Sequence, residues 1–231
     1  MTTVRMVTYN IKNGHGQDGK LNLNRTAAAL EDLDADIICL QEVDKIRAQT
    51  YFVDQAGYLA HKLHMQHSFG YAIDYRWGAF GNAILSKHPI VRENNYQLPA
   101  LSSKRAIQEV QVMVGGNSLR VFNTHMELNH KLRLKQVESF IVPLINASDE
   151  PGVLCGDLNE SPQCPAIHYL DGYFQDSFHM NSSAYIYTFP ADAPNDRIDY
   201  IFLNSACRTI DYQITPTQAS DHFPVLAIVD F

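Results

Sequence analysis

Cysteine is scarce in this chain, and its four residues, Cys39, Cys155, Cys164 and Cys207, form no Cys-x-x-Cys pair. No zinc knuckle is therefore encoded. Cys39 and Cys155 lie inside apolar runs, where buried free thiols are common, so no disulfide is expected. Long hydrophobic runs are missing too: nothing approaches the roughly 18 apolar residues of a membrane span. The opening MTTVRMVTYN holds neither a charged leader nor an apolar segment of signal-peptide length, so a cytoplasmic location is expected. No linker or low-complexity stretch divides the chain, and residues 1–231 read as a single domain, expected to act as a monomer. The tripeptides Asn146-Ala147-Ser148 and Asn181-Ser182-Ser183 match the glycosylation pattern but carry no information in a cytoplasmic chain. Positive charge is also short. Eighteen basic against 25 acidic residues give a net charge of −7, the wrong sign for affinity built by neutralising many backbone phosphates. Nucleic acid is thereby disfavoured without being excluded, since a local basic patch or a bound cation can offset a global negative field.

With 45% hydrophobic residues, the chain can bury a large core. Four strand-like runs, Val4–Asn10, Asp36–Glu42, Leu119–His125 and Gly152–Asn159, end in polar residues, and Ser220-Asp221-His222 supplies an adjacent acid and histidine. An unpaired buried carboxylate costs several kcal/mol, so these residues belong where strands emerge from the core, along one rim. Side chains two apart on a strand share a face, which groups Ile38, Leu40 and Glu42, and likewise Val121, Asn123 and His125.

The periodicity predicts strands at Val4–Ile11, Asp36–Glu42, Ser68–Asp74, Ala79–Ser86, Ile90–Gln97, Arg105–Val114, Leu119–His125, Gly152–Leu158, Ile198–Leu203, Thr209–Ile214 and Val225–Asp230. Helices are predicted over Asn22–Asp34, Tyr51–Leu63, Asn129–Asn146 and Cys164–Leu170. Gly115-Gly116-Asn117 reads as a hairpin turn. In the third helix Leu132, Leu134, Val137, Phe140, Ile141 and Leu144 form the expected apolar side, Pro143 should kink or shorten its end, and Arg133 and Gln136 read as an exposed face.

Taken in order, Thr8-Tyr9-Asn10, Leu40-Gln41-Glu42, Gly81–Ser86, Asn123-Thr124-His125, Gly156-Asp157-Leu158-Asn159, Arg197-Ile198-Asp199-Tyr200 and Ser220-Asp221-His222 resemble the motifs of the endonuclease/exonuclease/phosphatase family. That superfamily of metal-dependent phosphoesterases includes pancreatic deoxyribonuclease, abasic-site endonucleases, neutral sphingomyelinases, inositol polyphosphate 5-phosphatases and tyrosyl-DNA phosphodiesterases. The resemblance spans nearly the whole chain. It implies a four-layer α/β sandwich, in which two packed, mixed, mostly antiparallel β-sheets are flanked by helices.

Hydrolysis of a phosphate ester requires a positive centre, a base for the attacking water and help for the leaving oxygen. Glu42, Asp157, Asp199 and Asp221 are hard oxygen donors, which favour Mg²⁺, with Mn²⁺ as the alternative, over zinc. By resemblance Glu42 is the principal metal ligand, with Asn10 and Asp221 near the same ion. Asp199 and His222 form the acid–histidine pair, His125 is a second phosphate-facing histidine, and Asp157 and Asn159 face the phosphate from alternate positions. The family's water-activating base has been assigned to either the histidine or the Gly-Asp-x-Asn aspartate, and both stay open here. Arg105 resembles a basic position near the cleft and is a candidate substrate contact. The implied activity is that of a divalent-metal-dependent phosphodiesterase or phosphomonoesterase, acting on nucleic acid, phospholipid head groups or small phosphate esters. The alternative is a non-catalytic phosphate-ligand-binding protein that keeps the fold.

Other features invite different readings. Gly14–Gly19 fits the GxGxxG dinucleotide fingerprint, but the later strands join by hairpins, so it reads as a loop beside the cleft. His61, His64 and His67 recur every three residues, as a solvated helix end does. Substrate choice should rest on segments 14–20, 47–51, 74–80, 102–105 and 190–197. Among these, Tyr75, Arg76 and Trp77 form an aromatic-basic cluster suited to a base or a head group. No long insertion or hydrophobic docking hairpin is evident.

Overall fold

A computed structural model describes residues 2–101, 103–178 and 185–231; Ser102 and the Asn181-Ser182-Ser183 tripeptide lie outside them. Two six-stranded sheets pack face to face. The first contains β1 (Thr3–Asn10), β2 (Ile37–Lys45), β3 (Gln66–Asp74), β4 (Ala79–Ser86), β11 (Arg208–Ile214) and β12 (Val225–Asp230), in the order β11-β12-β1-β2-β4-β3. The second contains β5 (Ile90–Leu98), β6 (Arg105–Val114), β7 (Asn117–His125), β8 (Gly152–Asp157), β9 (Gln175–Asp176) and β10 (Asp199–Leu203), in the order β5-β6-β7-β8-β10-β9. Each sheet has one parallel pair, β1 with β2 and β7 with β8, among antiparallel neighbours.

Helices cover the outer faces. Helices α1 (Leu23–Glu31) and α2 (Gln55–Lys62) bury Ala27, Leu30, Ala56 and Leu59 against Val7, Ile38 and Leu40 of the first sheet. Helices α3 (His130–Gln136), α4 (Val142–Ile145) and α5 (Pro165–Asp171), with the π-turn 137–141, bury Val137, Ile141, Ile145 and Ile167 against Ile107, Phe122 and Leu154 of the second. Between the sheets lie Val4, Met6, Cys39, Val110, Val121, Cys155, Ile201 and Val229. The four-layer α/β sandwich is therefore the architecture, and the central strands read as near-continuous apolar runs because both faces are buried. All four cysteines are free, and no helix among the described residues is long and apolar enough to cross a membrane.

Three local expectations are corrected. Helix α2 begins at Gln55 rather than Tyr51, because the Asp54 carboxylate caps it by accepting from Gly57 N–H at 3.1 Å. Residues 48–50 make a short 3₁₀ turn, and Tyr51 and Phe52 follow it with left-handed φ of 55° and 59°. The helix after β7 contains a π-turn in which Val142 N–H reaches Val137 O. This wider turn lies immediately before Pro143, which has no N–H to give to the preceding turn.

That helix buries Val137 and Ile141 of its expected apolar side, but polar residues share the inward face. Arg133 and Gln136 are buried while Phe140 is 39% exposed. The Arg133 guanidinium pairs with the buried Glu160 carboxylate and donates to the Glu127 and Leu128 carbonyls at 3.1 and 2.6 Å. Gln136 donates to Pro99 O at 2.7 Å and accepts from Glu127 N–H at 3.2 Å. Backbone carbonyls of two loops thus draw Arg133 and Gln136 inward beside the apolar stripe. Arg133→Ala is expected to destabilise by about 3–5 kcal/mol, because Glu160 would be left buried and unpaired. A urea midpoint that does not move would contradict that account.

Candidate active site

The rim is formed where β1, β2, β7 and β8 end and where β4, β6 and β10 begin, since the antiparallel partners run the opposite way. Asn10, the last residue of β1, donates its side-chain NH₂ to Glu42 Oε1 at 3.2 Å and to Asp157 Oδ2 at 3.0 Å. One amide thus joins the two sheets through two carboxylates. Its oxygen accepts from Lys12 N–H at 3.0 Å, so as placed Asn10 bridges the carboxylates and turns its oxygen away from them. Asp157 Oδ1 accepts from Asn159 N–H at 2.9 Å.

Glu42 does not reach the rim by simple alternation. Ile38 and Leu40 point toward the α1/α2 layer, and an unbroken strand would send Glu42 the same way. Instead the register slips between Leu40↔Ala83 and Val43↔Gly81, so Gln41 and Glu42 together oppose Asn82. Glu42 takes φ 54°. This β-bulge re-aims the carboxylate toward Asn10 and corrects the expected Ile38–Leu40–Glu42 grouping. In β7 the alternation holds: Val121 faces the other sheet, Asn123 bonds across to it, and His125 reaches the site. Gly156 supports the next position, because a Cβ there would lie 2.0 Å from Thr124 O. No side chain fits where β8 presses that closely on β7 just before Asp157.

Two imidazoles converge on one oxygen. His125 Nε2 and His222 Nε2 lie 3.6 and 3.7 Å from Asp157 Oδ2, near it but beyond hydrogen-bond length. On its far side His222 Nδ1 is 2.9 Å from Asp199 Oδ2, and the Phe189 ring lies 4.7 Å from the imidazole. The Asp199 backbone N–H reaches Thr188 Oγ1 at 3.4 Å. Asp221 stands at the edge, with its carboxylate 2.7 Å from Lys12 Nζ; the neighbouring Ser220 hydroxyl donates to Asn10 O at 2.7 Å. Asn159, half-buried with φ 51°, donates its side-chain amide to Met126 O at 2.9 Å. Part of its donor capacity is thus spent on the loop after His125. Arg105 opens β6 in a buried position, with Nε lacking any hydrogen-bond partner among the described residues.

Charge and burial set the protonation states. Burial raises the Glu42 pKa, with Asp157 and Asp221 adding to the rise against the Asn10 hydrogen bond. Burial holds His125 down to about 3, opposed by Asp157. Burial would also lower His222, but Asp199 and Asp157 outweigh it and push the ring up to about 10. Arg105 is lowered by burial, against the fields of Glu127, Asp157 and Glu42.

These donors fit a hard cation. Oxygens of buried carboxylates crowd the rim, and Asp199 Oδ1 is buried without a hydrogen-bond partner among the described residues. The closest group of metal-capable side chains among the described residues is Asp157, Asp199 and His222, whose ligand atoms all lie within 4.8 Å of one another. Glu42 is tied to this group through Asn10, while Asp221 is held by Lys12.

Behind the rim lies a polar clasp for which the sequence reading gave no role. Gln41 Nε2 donates to Asn123 Oδ1 at 2.8 Å and to Thr8 Oγ1 at 3.0 Å, and Asn123 Nδ2 donates to Leu40 O and Ala83 O at 2.9 and 3.0 Å. Asn82 Nδ2 donates to Ala106 O at 3.3 Å. Amides from both sheets thus lock the inter-sheet distance one residue below Glu42. Gln41, Asn82 and Asn123 stand inside the quoted motifs, and that placement was their only signal. The three histidines of the 61–67 stretch are exposed, and Gly14–Gly19 is a loop in which Arg25 bonds Asp18 at 3.0 Å.

The Endonuclease/Exonuclease/phosphatase family model matches residues 7–222, and the chain belongs to that family of phosphoester hydrolases. YbhP of Escherichia coli K12 is 26% identical over 242 residues, which cover 96% of this chain and 94% of YbhP. The endonuclease/exonuclease/phosphatase of Bacteroides vulgatus has the same fold, with a TM-score of 0.85 at 20% identity and full coverage of both chains. So does the mannosyl-6-phosphatase of Bacteroides thetaiotaomicron, with a TM-score of 0.80 at 20% identity over 99% of this chain and 100% of the other.

Proposed function

We propose that the protein is a divalent-metal-dependent hydrolase that cleaves phosphate ester bonds by attack of water on phosphorus. The observation that carries this reading is the convergence of Asn10, His125 and His222 on Asp157 Oδ2, with Asp199 behind His222. Glu42 holds the ion, with Asn10 and Asp221 near it, and the site's hard oxygen donors suit Mg²⁺ or Mn²⁺. When bound, such an ion supplies positive charge where the phosphoryl oxygens gain negative charge.

The remaining roles belong to the chain's own groups. Two carboxylates flank His222 and favour its charged form, so it donates a hydrogen bond to a phosphoryl or leaving oxygen, with Asp199 fixing its orientation. Asp157 orients the water and takes its proton, and Asn159 steadies Asp157 from behind. Neutral His125 donates to the phosphate, and Arg105, whose buried Nε has no hydrogen-bond partner among the described residues, receives the substrate's negative charge. The same reading takes one copy of the chain as the working unit and the cytoplasm as its place.

Purified protein with Mg²⁺ or Mn²⁺ is expected to turn over at least one of bis-p-nitrophenyl phosphate, p-nitrophenyl phosphate, single- or double-stranded DNA, RNA and sphingomyelin, and to stop in EDTA. No turnover across the set would remove the hydrolase reading. Millimolar Mg²⁺ or Mn²⁺ should also raise the melting temperature, because an ion that binds only the folded site stabilises it and relieves the repulsion around Glu42. An identical melting curve with and without cation would count against the proposed ion site.

A further inference from the structure

The five most exposed large hydrophobic side chains among the described residues are Tyr51 (79%), Leu101 (75%), Trp77 (73%), Leu128 (66%) and Phe52 (61%). They come from four loops that are not consecutive in sequence. Tyr51 and Phe52 follow β2, Trp77 joins β3 to β4, Leu101 joins β5 to β6 and Leu128 follows β7. Strand pairing puts all four loops at the end of the sandwich where Glu42, Arg105 and His125 lie. The apolar tips therefore lie at the same end of the sandwich as the candidate active site, flanking it on the side of the β3 and β5 edges, and isolated surface hydrophobics would have no reason to gather there.

The tips are held in place. The buried Asp44 carboxylate accepts from Arg47, Gln49 and Thr50 at 3.1, 2.7 and 3.1 Å, fixing the turn beneath Tyr51 and Phe52. Ile46, Tyr51 and Phe52 adopt φ of 56°, 55° and 59°, a conformation unfavourable for bulky and β-branched residues that is retained where surroundings impose it. Gly78 packs so closely on this loop that a Cβ would lie 2.2 Å from Ile46 O, which seats the Trp77 turn beside it. On the other wall the Glu127 carboxylate accepts from Leu101 N–H at 3.0 Å and Leu128 N–H at 2.8 Å, binding both leucine loops to one anchor.

Charge selects the partner. On loops 46–54, 74–78, 99–104 and 126–129, Arg47, Arg76 and Lys104 balance Asp54, Asp74 and Glu127, in a chain whose net charge is −7. A polyanionic strand would want a basic track, and these loops have none to spare. A protein partner would want a continuous apolar patch of interface size, whereas these five side chains come singly or as one adjacent pair from four loops. Separate apolar tips, with Trp and Tyr among them and charge near neutral, match a fluid interface that closes around each one. The geometry points to a phospholipid surface as the partner, with the catalytic mouth seated on it. Resting on the phosphoester reading above, this makes the substrate an amphiphilic phosphate ester presented by that surface.

Trp77 is the sole tryptophan, so its emission reports on this face directly. Phosphatidylcholine vesicles, added in EDTA so that no turnover occurs, are expected to shift the emission to shorter wavelength and to carry the protein into the pellet. A Tyr51→Ser/Phe52→Ser double variant, with its melting temperature checked, should partition roughly tenfold or more weakly, since two apolar side chains are lost from the interface. Unshifted emission with the protein in the supernatant at millimolar lipid overturns the proposal. So does a shift produced by a thymidine oligonucleotide but not by vesicles, or self-association that the double variant abolishes. Vesicle binding by a protein that turns over no phosphoester would remove the hydrolase reading and leave the docking face; turnover of soluble esters without vesicle binding would do the reverse.

Discussion

Glu42→Gln is expected to abolish turnover, by about 10³-fold or more, in a protein that still folds. The amide keeps an oxygen for the Asn10 NH₂ that now bonds Glu42 at 3.2 Å, and it opens no cavity. What disappears is charge. Because burial raises the Glu42 pKa, its ionised form costs folding stability at neutral pH, and a neutral side chain removes that cost. The metal-free variant should therefore melt at the same temperature as the parent or higher, and the increment from Mg²⁺ should vanish. Near-parental turnover at saturating Mg²⁺ would sink the assignment of Glu42 to the ion.

His222→Ala and Asp199→Asn should each lower kcat by roughly 10²–10⁴-fold, the range for losing positioned acid–base or charge stabilisation. The double variant should be little worse than either single one, because Nδ1 of the ring and the Asp199 carboxylate, 2.9 Å apart, act as one unit. Fully multiplicative losses would show independent roles. A second readout separates positioning from packing: in Asp199→Asn the His222 ring, now pushed up to about 10, should titrate closer to an ordinary imidazole by NMR. A histidine raised in the folded state stabilises the metal-free protein fully below about 6.5 and loses that contribution as pH rises through about 10. The alkaline loss should be smaller in Asp199→Asn.

Much of the fold could be read from residue patterns. The bounds of β4, β6 and β12 coincide with the predicted strands, because their apolar runs stop at clear turn residues. What could not be read depends on partners distant in sequence. The direction of Glu42 is set by a slip against Asn82 in β4, and a strand read alone has period two and no slip. The inward turn of Arg133 follows from Glu160 and two loop carbonyls, and periodicity scores that position as solvent. The apolar loops were legible only in part, at the Tyr75-Arg76-Trp77 cluster: Tyr51-Phe52, Leu101 and Leu128 lie on other loops between 46 and 128 and form no long run. At the site, the residue types pointed to oxygen-donor chemistry, whereas the clasp of Gln41, Asn82 and Asn123 needs both sheets in place.

The two sheets are built on one plan. Read from the parallel pair outward, β11-β12-β1-β2-β4-β3 and β5-β6-β7-β8-β10-β9 have the same sequence of parallel and antiparallel neighbours. Under that correspondence β1 maps to β7 and β2 to β8, so Asn10 is the counterpart of His125, and Asp157, paired with His125, corresponds to Gln41, one residue before the bulged Glu42. Each half thus brings an uncharged nitrogen donor on the first parallel strand and a carboxylate on the second. The rim is a pair of similarly built half-sites, one carrying its carboxylate in register and the other one residue on in the bulge, and Asn10, bonded at once to Glu42 and Asp157, sits across their seam. A substitution that shifts one sheet relative to the other would therefore separate the two carboxylates even with every site residue intact, so the spacing between halves is as much a part of the centre as the side chains themselves.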